Sequence, residues 1–211
     1  MPTVIINDVA YEARLGERLL NIARRNGAHI GFVCDGNGIC QTCQCRVLAG
    51  AGQLSPPSEA ERIWMPERRL AEGHRLACQA ALRGPGPVEL ITKAEELRRQ
   101  TLDVVAPPRD ADRRDYLEPL LDNLVRMSVD QLARYPWNVL ATVGRVGVGR
   151  FLFPWRDVER WAEDGALVAR RMVAGPPRAA ALPSPTDPRE EAVIEAARSL
   201  RRARAAARRS S

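Results

Sequence analysis

Cys34-Asp35-Gly36-Asn37-Gly38-Ile39-Cys40-Gln41-Thr42-Cys43 is the stretch on which the reading of this chain turns. Together with Cys78 it gives the pattern C-x5-C-x2-C-x34-C. In a [2Fe–2S] pair each iron takes two terminal thiolates beside the two bridging sulfides. Three thiolates from one tight loop and a fourth from elsewhere meet that need, so the pattern reads as a [2Fe–2S] site, which moves or senses single electrons. Gly36 and Gly38 suit the loop, because glycine accepts φ > 0 and lets backbone N–H groups turn toward an anion. Such donors stabilise a polyanionic centre and help set its potential.

Other uses of these residues can be weighed. Structural zinc also takes four Cys, but it favours paired short-spaced knuckles, and only one C-x2-C is present. A disulfide framework is disfavoured, since the chain opens Met-Pro-Thr-Val-Ile-Ile without a secretory signal, and 211 residues can build a core without staples. Cytoplasmic residence is therefore expected. Cys45, in the strand-like alternation Gln44-Cys45-Arg46-Val47-Leu48, reads either as a small buried apolar side chain or as an alternative ligand or redox-reactive thiol. His29 and His74 bring to mind centres with two His ligands, yet four Cys already complete a site, so both are read as structural or surface residues.

Thr3 to Ile6 and Val9 to Ala13 read as strands joined by an Asn7-Asp8 hairpin turn. An amphipathic helix is expected from about Glu17 to Asn26, with Leu19, Leu20, Ile22 and Ala23 on one face and Asn26-Gly27 ending it. A strand around Val47 follows the Cys loop. Ser58 is expected to cap a short helix, with Glu61 three residues on completing a capping box. Arg75 to Ala81 carries Cys78 into a short strand, and Pro87 to Thr92 reads as a closing strand.

About residues 2–95 resemble the ferredoxin family of β-grasp electron carriers, through the Cys loop and Arg75-Leu76-Ala77-Cys78-Gln79. Plant-type members have C-x4-C-x2-C, whereas the x5 gap here is similar to the adrenodoxin-like branch. The chain also resembles the iron–sulfur proteins of the chlorosome envelope in green photosynthetic bacteria. That likeness rests on Gly38 to Cys43, Leu54-Ser55-Pro56, Ser58 to Glu61 and Gly73 to Gln79, and those proteins too append a C-terminal region to a ferredoxin domain. The resemblance implies a [2Fe–2S] cluster on Cys34, Cys40, Cys43 and Cys78. It further implies Cys34 and Cys40 on one iron, Cys43 and Cys78 on the other, and entry of the electron at the iron nearer the loop surface.

The expected fold class is α+β: a β-grasp ferredoxin domain at 1–95, a linker at 96–111, with helical character from Ala94 to Gln100 across that boundary, a mainly helical region at 112–175, and a disordered or partly helical basic tail at 176–211. Net charge is +6, nearly all of it from Arg, with Lys93 the single lysine. Residues 1–95 carry 11 basic and 10 acidic side chains, and 96–211 carry 21 and 16. This excess, with no nucleic-acid motif, points to anionic lipid rather than nucleic acid.

Tyr116 to Leu132 shows helical spacing at Leu117, Leu120, Leu121, Leu124 and Met127. Tyr135 to Trp155 is strongly apolar but is interrupted by Arg145, Arg150 and three glycines, which argues against a membrane span. With Trp137, Trp155 and Trp161 nearby, it reads as a segment lying in a lipid surface or as a small helical hairpin packed on itself or on the first domain.

Two functions follow as expectations. One is a one-electron carrier or redox sensor fixed at a photosynthetic antenna surface, peripheral on the chlorosome envelope or a membrane; in the resembled proteins oxidation state is thought to control quenching. The other is a soluble ferredoxin delivering electrons to an oxygenase or reductase, with the C-terminal region as docking module. A redox partner protein is implied by both. A third possibility is an envelope protein whose cluster only stabilises the fold. No catalytic constellation, phosphate-binding loop, or flavin or nicotinamide fingerprint is found, so the chain reads as an electron-transfer protein without its own catalytic site.

Overall fold

The computed structural model describes residues 2–107, 113–132 and 134–174. The expected tail at 176–211 lies outside them. Strand β1 (Thr3–Ile6) turns into β2 (Val9–Glu12) through Asn7 and Asp8, whose φ values are 54° and 70°. Asn and Asp tolerate this left-handed region, as a tight hairpin requires. Helix α1 (Leu19–Arg25) buries Leu19, Leu20, Ile22 and Ala23, the face expected from their spacing. After the Cys loop come β3 (Gln44–Ala49), a single 3-10 turn (Ala51–Gln53), α2 (Glu59–Trp64), α3 (Glu67–Ala71), β4 (His74–Leu76) and β5 (Val88–Thr92).

The strands form one mixed sheet in the order β2-β1-β5-β3-β4. Neighbours are antiparallel except β1 and β5, which run parallel with Val4 opposite Val88 and Ile6 opposite Leu90. Alternation decides what faces inward: Val4 and Ile6 on β1, and Val88 and Leu90 on β5, meet Leu19, Leu20 and Ile22 of α1 in the core. The result is the α+β class, a mixed sheet with a helical C-terminal region.

Three local expectations shift. Helix α1 starts at Leu19 rather than Glu17, behind an Arg18 that makes no capping bond. Strand β4 stops at Leu76, so Cys78 sits in the turn that follows. The helix expected over Ala94 to Gln100 is longer: Thr92 ends β5 and caps α4 (Lys93–Val105) by accepting the Glu95 N–H at 3.2 Å.

Beyond lie α5 (Arg113–Leu132), α6 (Tyr135–Val146), α7 (Val148–Leu152) and α8 (Val158–Ala174). Helix α5 is joined to α4 by Lys93 Nζ, which donates to Asn123 Oδ1, and by Asn123 Nδ2, which donates to Gln100 Oε1 at 2.8 Å. Helix α6 turns Asn138 and Thr142 inward, and α8 places Val168 in the core of the sheet domain. The helical hairpin therefore packs on the first domain. Much of its apolar surface still faces outward: Trp137 and Phe153 are each 73% exposed.

Candidate metal centre

The loop between α1 and β3 is bent by four residues with positive φ: Asp35 (48°), Gly36 (81°), Gly38 (67°) and Gln41 (57°). These bends turn backbone N–H groups toward the thiols. The N–H groups of Ile39 and Cys40 favour charge on Cys34 Sγ, and so, more weakly, does that of Asn37, which donates to the Cys34 carbonyl at 3.1 Å. Thr42 turns its N–H toward Cys40 Sγ, and its hydroxyl shares a hydrogen bond with that sulfur at 3.1 Å. Across the site, the Gly38 N–H and Gln79 Nε2 (3.3 Å) donate to Cys78 Sγ, and the Cys78 N–H donates to Cys43 Sγ. Gly38 also has no room for a side chain, since a Cβ there would lie 2.9 Å from that of Ala60.

The four thiols act on one another in two pairs: Cys40 is the largest influence on the ionisation of Cys34, and Cys78 on that of Cys43. In each pair one sulfur is the easier to ionise. Cys40, helped by the loop N–H groups against burial, brings the Cys34 thiol down to about 5, while Cys40 is pushed up. Likewise Cys43 lowers Cys78, and is itself raised by Cys78 and by burial. The charge of Cys34 is also felt at Cys43 and Cys78, so the pairs are neighbours. Among the described residues no three His, Cys, Asp or Glu side chains gather on the position of a single metal ion. Two thiol pairs, ringed by N–H donors, have the donor set that a dinuclear, anionic cluster requires.

Cys34, Cys43 and Cys78 are buried, and Cys40 is the partly exposed member. Cys45 lies on β3 opposite Arg75, fully within the core. Its Sγ faces the Arg75 carbonyl at 3.6 Å, and burial pushes its thiol up to about 12. That is the environment of a packing residue. His29 Nδ1 is engaged by Glu95 Oε2 at 3.0 Å and His74 Nε2 by Arg69 Nη1 at 3.1 Å, so both rings have other partners.

Sequence reasoning missed the surroundings of the loop. Glu61 closes the capping box on Ser58, but it is also fully buried and binds Arg75 at 2.7 and 3.1 Å and the Leu76 N–H at 3.0 Å, fixing the strand that leads to Cys78. The Trp64 indole donates to the Gly38 carbonyl at 3.1 Å. The C-terminal helices also reach the loop. Trp161 Nε1 donates to the Phe32 carbonyl (3.2 Å) and Trp155 Nε1 to that of Val33 (2.8 Å). Arg145 Nη2 donates to the carbonyls of Asn37 (2.8 Å) and Gly38 (3.1 Å), and Asn37 Nδ2 to that of Pro154 (2.7 Å). Arg24 joins Asp35 of the loop to Asp164 of α8, at 2.6 Å to each. The one signal in the sequence was the pair of arginines inside an apolar run, because such cations need acceptors.

Residues 4–83 match the family described as the 2Fe-2S iron-sulfur cluster binding domain. Chlorosome protein J of Chlorobaculum tepidum is 44% identical over 104 residues, covering 49% of this chain and 46% of that protein. Chlorosome protein I of the same organism is 40% identical over 96 residues, covering 46% and 39%. The chain thus spans less than half the length of these two relatives. 2Fe-2S ferredoxin-5 of Aquifex aeolicus is 34% identical over 91 residues, which are 42% of this chain but 95% of that protein. A thiol loop built for a dinuclear cluster, on a mixed sheet matched over nearly the whole of a ferredoxin, leads to one conclusion: the chain belongs to the [2Fe–2S] ferredoxin family, and its cofactor is a [2Fe–2S] cluster.

Proposed function

We propose that Cys34, Cys40, Cys43 and Cys78 are the four ligands of the cluster, Cys34 and Cys40 on one iron and Cys43 and Cys78 on the other. We further propose that the protein serves as a one-electron carrier or redox sensor at the chlorosome envelope. The observation that carries the ligand assignment is that the loop brings the four thiols together as neighbours, Cys34 acting chiefly on Cys40 and Cys43 chiefly on Cys78, with N–H donors turned toward them. The antenna location is supported by the names of the two chlorosome relatives and by the exposed Trp137 and Phe153 of the C-terminal helices. Among the described residues no helix is long and apolar enough to cross a membrane, which fits peripheral attachment.

When bound, the cluster supplies one-electron redox chemistry. The chain does the rest. N–H groups of Asn37, Ile39 and Cys40 hold negative charge at Cys34, and Gly38 and Gln79 do so at Cys78. Burial of Cys34, Cys43 and Cys78 excludes water. The partly exposed Cys40 marks the side on which a redox partner gains the closest approach.

Electron paramagnetic resonance before and after dithionite, on anaerobically purified protein, tests the assignment. An S = 1/2 signal should appear only on reduction, be lost in Cys78→Ser and persist in Cys45→Ser. A silent sample with bound zinc would sink the electron-transfer reading, and loss of the signal in C45S with retention in C78S would sink the ligand assignment.

A further inference from the structure

Two guanidinium groups from the C-terminal helices stand on the Cys loop, and neither has a carboxylate partner among the described residues. Arg145 of α6 holds the carbonyls of Asn37 and Gly38, which lie between the first two cysteines, and its Nη2 comes within 3.3 Å of where a Gly38 Cβ would be. Its Nε is buried without a hydrogen-bond partner. Arg150 of α7 donates from Nε to Asn37 Oδ1 at 3.2 Å. Two carboxylates on the same side, Asp35 and Asp164, share one guanidinium, Arg24, each at 2.6 Å, and among the described residues neither is paired with Arg145 or Arg150. The chain therefore brings two further positive charges onto the loop, from more than 100 residues away.

We propose that Arg145, seconded by Arg150, is a positioning residue that raises the reduction potential of the cluster. Reduction adds one electron from an external donor, a partner protein in the cell or dithionite in the cuvette, and forms or breaks no bond. The reduced centre carries one more negative charge than the oxidised one. A cation beside the centre therefore stabilises the reduced form more, and the effect is strongest where water is excluded. The carbonyl contacts add a second part to the role. They clamp Asn37 and Gly38, whose N–H groups are donors to Cys34 and Cys78, so the cation and the donors are held by one clasp.

The inference rests on the four-cysteine assignment, and the experiment separates the two. The full chain is prepared as wild type, Arg145→Gln, Arg145→Lys and Arg150→Gln. Cluster content is read from visible absorbance, and the midpoint from a redox titration followed by paramagnetic resonance. Glutamine keeps a donor for the carbonyls but removes the charge. The R145Q midpoint should move to more negative values with cluster content unchanged, R150Q should move the same way by less, and R145K should stay near wild type. An unchanged midpoint in a fully loaded R145Q overturns the proposal. An equal shift in R145K and R145Q, with altered g values in both, overturns its charge component. If R145Q holds no cluster, R150Q decides: a lowered midpoint supports the proposal, and a wild-type one overturns it. A wild-type sample without the signal strikes at the ligand assignment instead.

Discussion

His74 is a buried histidine set among cations. Burial lowers its pKa to about 4, aided by Arg69, Lys93 and Arg46 and opposed by Glu96. In the unfolded chain an imidazole titrates near 6.5. Folding therefore favours the neutral ring, and the stability it contributes is whole above about pH 6.5 and is lost as pH falls toward about 4. Urea unfolding at pH 7 and pH 5 should show a larger loss in wild type than in His74→Gln; equal losses would remove His74 as the cause. The carboxylates act in a lower window: Glu95, brought down to about 2 by Arg98, Arg99 and His29 against its desolvation, adds stability that fades only below about pH 4.5. At this scale the four thiols and the capping Ser58 were legible, because each has a fixed spacing to its neighbours. The buried Glu61–Arg75 pair was not, since nothing local marks an ion pair that joins a helix to a strand 14 residues on.

Among the elements, the contact of α1 with α8 turns on Gly27. Its φ is +63°, and a Cβ there would come 2.8 Å from Arg171 and 3.0 Å from Leu167 of α8. The side chain of Arg171 can swing away, but the left-handed backbone cannot be relieved. Gly27→Ala should therefore cost on the order of 1–2 kcal/mol, read as a lower urea midpoint. A neutral result would mean that α8 yields and the backbone relaxes. The strands and α1 were legible from alternation and helical spacing, since both periods survive in a sheet covered on one face. Helix α3 and the full length of α4 were not, because short or highly charged helices leave little apolar periodicity. The apolar stripe of α5 was legible as a helix but not in its setting, for Leu117 and Leu121 remain exposed.

For the molecule as a whole, Trp137, Leu140, Leu152 and Phe153 are exposed, and under the proposed envelope role they are the apolar groups that would meet lipid. Flotation with vesicles rich in anionic lipid should carry the wild-type protein upward, and the double variant Trp137→Ser, Phe153→Ser should stay behind. Wild type that stays behind as well would leave the soluble carrier as the better reading. What the sequence could not reveal at this scale was how α6 to α8 meet the Cys loop, because hydrogen bonds spanning 107 to 129 residues leave no periodic trace. Those spans also order events in time. A nascent chain is made from its N-terminus. All four thiols, with every N–H that points at them, leave the ribosome well before Arg145, Trp155 or Trp161 exists. During synthesis the loop is therefore made whole before the α6 to α8 covering that rests on it has been translated.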